Sequence, residues 1–100
     1  VTDPTDTSST VTVVLGGEID LATAADMRRR LFDDTSADVV VADLAGVGFM
    51  DSSGLRALLE VRSRLLAEGR TLALVNLPAQ VRRLFEIAGT GHLFDGPAGP

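Results

Sequence analysis

An α/β fold with a sheet flanked by helices is predicted by three features of this 100-residue chain. Short β-branched runs alternate with longer stretches whose apolar residues recur at helical spacing. The order reads strand, helix, strand, helix, strand, helix, which gives crossover connections and parallel pairing. Apolar residues make up 45% of the chain, enough to bury a core in one domain of this size.

The first strand is predicted at Val11, Val13 and Leu15, which alternate with Thr12, Val14 and Gly16. Gly16-Gly17 predicts a bulge before Glu18, Ile19 and Asp20. A helix follows with Ala24, Met27 and Leu31 on one face, and Thr23 with Asp26 resembles a capping box at its start. Val39–Leu44 is nearly continuous in apolar residues, as a central strand covered on both faces would be. The second helix is predicted from near Ser52 to Gly69, with Leu55, Leu58, Leu59, Leu65 and Leu66 along one face and Gly69 as its left-handed stop. Thr71–Val75 is the third strand. Pro78 opens a third helix in which Val81, Leu84, Phe85 and Ala88 share a face and Gly89 ends it. His92, Leu93 and Phe94 are expected to form a short strand or to cover the core. Residues 1–9 read as a flexible approach with a polar edge strand over 2–7, 10–95 as the domain, and 96–100 as a flexible tail.

Composition excludes several functions. Net charge is −5 and the nine arginines are scattered, so the chain lacks the basic footprint for direct nucleic-acid binding or for an anionic membrane surface. Without cysteine there is no disulfide framework and no thiolate metal site. Asp33 with Asp34, or Asp51 with Asp20, offers too few ligands for a magnesium or calcium site, so no metal and no cofactor is expected. A serine hydrolase needs a base held on its nucleophile. The single histidine, His92, is expected to be a partly buried surface group, and no G-x-S-x-G is present, so no enzyme is expected. The N-terminal stretch has neither the basic nor the apolar region of a secretory signal, and no apolar run is long enough to span a bilayer. A cytoplasmic protein is therefore expected.

The function is expected to lie in Phe49–Leu55, FMDSSGL, between the central strand and the longest helix. Asp51 or Ser52 is placed to cap that helix, and Gly54 leaves the backbone bare for close approach by another molecule. A helix N-terminus carries free N–H donors and partial positive charge, which suits a serine that carries phosphate. The bland alternative is a plain cap.

Three motifs in order carry a family resemblance: GEIDLATA at 17–24, DLAGVGFMDSSGL at 43–55 and VRRLFEIAGTGHLF at 81–94. Together they resemble the STAS-domain anti-sigma factor antagonists. The resemblance implies a mixed sheet flanked by helices and a partner-switching role. The unmodified protein would bind an anti-sigma factor serine kinase and free the sigma factor. Phosphorylation on Ser52 would abolish binding, and a phosphatase would restore it. Asp20, Asp51, Ser52, Ser53 and Gly54 are the expected partner-binding residues. Asp20→Ala is expected to alter partner binding with little loss of stability. The alternative is a STAS-like soluble subunit of a transport or stress-signalling complex, in which the serine is structural.

Overall fold

A computed structural model describes residues 9–95. The elements are β1 (Thr10–Ile19), α1 (Leu21–Arg28) with a π-helical continuation (Arg29–Asp33), β2 (Val39–Met50), α2 (Ser52–Ala67), β3 (Thr71–Val75), α3 (Ala79–Ile87) and α4 (Gly91–Asp95). The described strands form a parallel sheet in the order β1-β2-β3, with Val40 opposite both Val11 and Leu72. Val39–Leu44 and Thr71–Val75 are thus neighbouring parallel strands joined by α2, as the crossover pattern predicts. The edge strand expected over 2–7 lies outside the described residues.

Two successive crossovers of one hand between adjacent strands stack their helices on the same side of the sheet. α1 accordingly packs on α2. This corrects the expectation that Val39–Leu44 is covered on both faces. Val40, Ala42 and Leu44 are fully buried, while Val39, Val41 and Asp43 on the other face are only partly so. One core cluster joins them to Leu15, Met27, Leu31, Leu58, Leu65, Val81 and Phe85.

The helix stripes are mostly as the periodicity predicts. Ala24, Met27 and Leu31 are buried, as are Leu55, Leu58, Leu65, Val81 and Phe85. Leu59 and Leu84 are half-buried at the edge of the cluster. Leu66 is 47% exposed, because it is one residue beyond Leu65 and turns about 100° away. Val61 and Ala57 fill the stripe instead. Ala88 is also exposed, since it is the C-cap of α3 and no longer on its buried face.

Both glycine stops close as predicted. Gly69 (φ 74°) donates to Leu66 O and Arg70 N–H to Leu65 O, and Gly89 (φ 72°) repeats the arrangement with Glu86 and Phe85. His92–Phe94 lie in α4 rather than in a strand, and His92 is exposed rather than partly buried. Leu93 N–H donates to Thr90 O, which starts a helical turn, so no extended pairing forms there.

β2 runs through Gly46 and Gly48 to Met50, well beyond Leu44. The β1–β2 register slips at Val14/Gly16 and again at Gly17/Glu18. The extra residues belong to β2, whose Asp43–Gly46 and Val47–Phe49 steps are each one residue longer than the Val14–Gly16 and Gly17–Glu18 steps they face on β1. Gly16-Gly17 is therefore the partner of the bulges rather than their seat. A Cβ on Gly46 would stand 3.1 Å from Leu15 O, which explains a glycine at that close approach. The strand ends at Met50, directly before DSSG.

Candidate functional site

Two helix starts lie side by side at the carboxyl edge of the sheet. Ile19 pairs with Met50, and Asp51 N–H donates to Ile19 O at 3.1 Å, so Asp20 and Asp51 leave adjacent strand ends together. Each is an N-cap. Asp51 Oδ1 accepts from Ser53 N–H (2.8 Å) and Gly54 N–H (3.4 Å). Asp20 Oδ1 accepts from Ala22 N–H (2.9 Å) and Thr23 N–H (3.1 Å). The capping box is thus Asp20 with Thr23, whose Oγ1 accepts from Asp20 N–H at 2.9 Å, and not Thr23 with Asp26. The short Asp20 side chain reaches the free N–H groups of the first turn, whereas Thr23 is already inside the helix.

This geometry separates the roles of the DSSG residues. Asp51 caps α2, so Ser52 takes the first helical position and is exposed. No hydrogen bond from the Ser52 hydroxyl exists among the described residues, while Ser53 is half-buried. Gly54 is buried, and its role differs from the one expected. A Cβ there would meet Met50 Cγ at 2.6 Å and Ile19 Cγ2 at 2.7 Å. The close approach that needs glycine is by the chain's own strand ends, which seat α2 on the sheet, rather than by another molecule. Asp20 likewise has a structural duty, so Asp20→Ala carries the cost of a lost cap, about 0.5–2 kcal/mol, contrary to the expected small effect.

Further groups complete the edge. Gln80, in the first turn of α3, meets both backbone groups of Met50: its Oε1 accepts from Met50 N–H and its Nε2 donates to Met50 O, each at 2.9 Å. Nothing in the sequence pattern singles out Gln80, because the contact depends on where α3 comes to rest. Leu21 is 80% exposed at the start of α1, and Phe49, opposite Glu18, is 45% exposed. Exposed apolar side chains beside an exposed serine suit a surface that meets a partner. At the point where β3 ends, Asp43 accepts from Ala45 N–H (3.0 Å) and Asn76 Nδ2 (3.1 Å), and these donors hold its carboxyl below its ordinary value.

The edge carries no paired nucleophile and base: neither Ser52 nor His92 makes a side-chain hydrogen bond among the described residues. Among the described residues no group of three or more His, Asp or Glu side chains gathers into a metal-sized cluster. No helix among the described residues is long and apolar enough to cross a membrane.

The described strands thus form a parallel sheet with helices stacked on one side, and an exposed serine stands at the strand-to-helix junction. Residues 3–98 match the STAS domain family, and the chain belongs to that family. It is 32% identical over 87 residues to the anti-sigma-B factor antagonist of Bacillus subtilis, covering 85% of this chain and 79% of that protein. Among solved structures it is similar to the anti-sigma factor antagonist SpoIIAA in its unphosphorylated form (27% identity, TM-score 0.71, 86% of this chain and 77% of the other). SpoIIAA of Bacillus in its phosphorylated form matches at 26% identity and TM-score 0.66, covering 86% of this chain and 80% of the other. An anti-sigma factor antagonist from Mycobacterium paratuberculosis matches at 26% identity and TM-score 0.75, covering 89% of this chain and 77% of the other.

Proposed function

We propose that this protein is an anti-sigma factor antagonist switched by phosphorylation on Ser52. Unmodified, it binds an anti-sigma factor that is a serine kinase and so releases the sigma factor; phosphorylated, it lets go, and a phosphatase resets it. The role belongs to the cytoplasm, where sigma factors and ATP are found. The observation that carries the reading is the position of Ser52: exposed, its hydroxyl without a hydrogen bond among the described residues, and first in a helix whose cap is already supplied by Asp51. A kinase can reach such a hydroxyl without unfolding the junction. The relatives support the role, being antagonists of which one has been solved with and without phosphate.

Electrostatics gives the switch its direction. Phosphate adds roughly −1.5 to −2 charges next to the Asp51 carboxylate. The N-terminus of α2 offsets part of this within the chain. A partner pocket shaped for a neutral hydroxyl must instead desolvate a dianion, and a loss of about 1.4 kcal/mol already weakens binding tenfold. The fold need not change.

The test is mass spectrometry after incubation with the captured kinase and ATP, alongside binding of Ser52→Ala and Ser52→Asp. Phosphate is expected on Ser52. Ser52→Ala should stay folded, hold the kinase and resist inactivation, whereas Ser52→Asp should bind weakly. Phosphate on Ser53 alone, or equal kinase affinity for the modified and unmodified chains, would overturn the proposal. Capture of a transporter ATPase in place of a kinase would favour the transport-complex alternative.

A further inference from the structure

We propose that Gln80 is a positioning residue for Ser52, acting through the backbone of Met50. The inference rests on the reading of Ser52 as the phosphate acceptor. Met50 is the last residue of β2 and stands two positions before the serine. On one side it pairs with Ile19 of β1. On the other side it has no strand neighbour among the described residues, because β2–β3 pairing ends at Asp43 and Val75. The Gln80 carboxamide occupies that side as a substitute for a strand, accepting from Met50 N–H and donating to Met50 O. A primary amide of this length does both at once whatever the pH, and the two backbone groups dictate its orientation.

The junction is therefore held from three directions. β1 takes Asp51 N–H through Ile19 O, the Asp51 carboxylate takes the first turn of α2, and Gln80 fixes Met50. Phosphoryl transfer depends on how well the attacking hydroxyl is aligned, and small misplacements are expensive. A looser Met50 lets the Ser52 hydroxyl wander in the kinase site while leaving the docking surface present. α3 does not need Gln80 to stay in place, since Val81 and Phe85 anchor it in the core.

The full-length Gln80→Leu and Gln80→Glu variants test this in two measurements. The first needs no partner: amide exchange of Met50 should accelerate about tenfold in Gln80→Leu, while Phe85 and Ala88, whose amides are bonded within α3, keep their protection. Gln80→Glu keeps an acceptor for Met50 N–H but sets a carboxylate against Met50 O, so its protection should recover as pH falls and the acid gains a proton. The second uses the anti-sigma kinase that the unmodified chain captures, with ATP: kcat for Ser52 should fall about tenfold with KM changed less than about twofold. Unchanged Met50 exchange, unchanged kcat, or a loss of kcat accompanied by uniform loss of protection and a lower melting temperature would each overturn the proposal. Altered Met50 exchange in a protein whose wild type is never phosphorylated would retain the junction clamp but refute both the phosphate switch and the role of Gln80 in it.

Discussion

The two edges of the sheet are built by opposite means. At the amino edge, one long cation ties several segments together. Arg70 donates from Nε to Ala37 O (2.8 Å), from Nη2 to Thr35 O (2.9 Å) and from Nη1 to Glu68 (2.8 Å), and it lies over the Phe32 ring, which Arg64 covers at 4.2 Å. Ser9 and Asp38 exchange bonds between backbone N–H and side chain beside it. At the carboxyl edge two ties are local, the aspartate caps, and one neutral glutamine reaches across thirty residues to Met50. The amino edge spends its polar groups on closing the fold. The carboxyl edge completes its own hydrogen bonds with Asp20, Asp51 and Gln80 and leaves the Ser52 hydroxyl over. An edge whose hydrogen bonds are complete without the exposed Ser52 hydroxyl is what a modification switch needs, because adding phosphate there breaks nothing the fold depends on.

The contrast can be broken most severely from the middle. Leu58 is fully buried in the core beneath both edges. Leu58→Ala should cost about 2–5 kcal/mol in chemical denaturation, and exchange protection at the two edges should fall together. Independent melting of the edges would show that they are not one cooperative unit. Next comes Arg70→Ala, expected to cost roughly 1–3 kcal/mol, since it leaves the partly buried carbonyls of Thr35 and Ala37 without their donor. Its exchange effects should stay at the amino edge and leave Ser52 phosphorylation unchanged; an altered phosphorylation rate would show the edges to be coupled. Asp51→Ala removes the cap of α2 and should cost about 0.5–2 kcal/mol, with faster exchange at Ser53 and Gly54 but not at Arg70.

The smallest effect concerns Asp43. Its folded carboxyl titrates below its ordinary value because Ala45 N–H, first, and Asn76 Nδ2 favour the charged form. The unfolded chain therefore binds the proton first as pH falls. The contribution to stability is complete above the ordinary value of 3.8 and is lost as pH drops through the lower, folded value. In Asp43→Asn the fall in melting temperature between roughly pH 5 and pH 3, about the ordinary carboxylate range, should be slightly shallower than in the wild type. An identical slope would mean that the Asn76 contact is not held in solution.

The sequence by itself determined the alternation of strands and helices, the stops at Gly69 and Gly89, and the placement of the DSSG segment at the start of α2. Those follow from local physics: apolar spacing, the left-handed conformation open to glycine, and the hydrogen-bonding reach of Asp51. It also led to Ser52, though through the order of three motifs, since Asp51 and Ser52 are equally plausible caps from residue type alone. Tertiary structure decided what depends on neighbours distant in sequence. Asp20 is a cap because Ile19 ends β1 beside Met50. Gly54 is glycine because Ile19 and Met50 fill the space of its missing Cβ. Leu66 faces out because Leu65 already faces in. Gln80 reaches Met50 because β3 stops at Val75 and leaves that side of β2 open to α3. Such contacts join residues tens of positions apart, and no local periodicity records them, because they are set by where whole elements come to rest against one core.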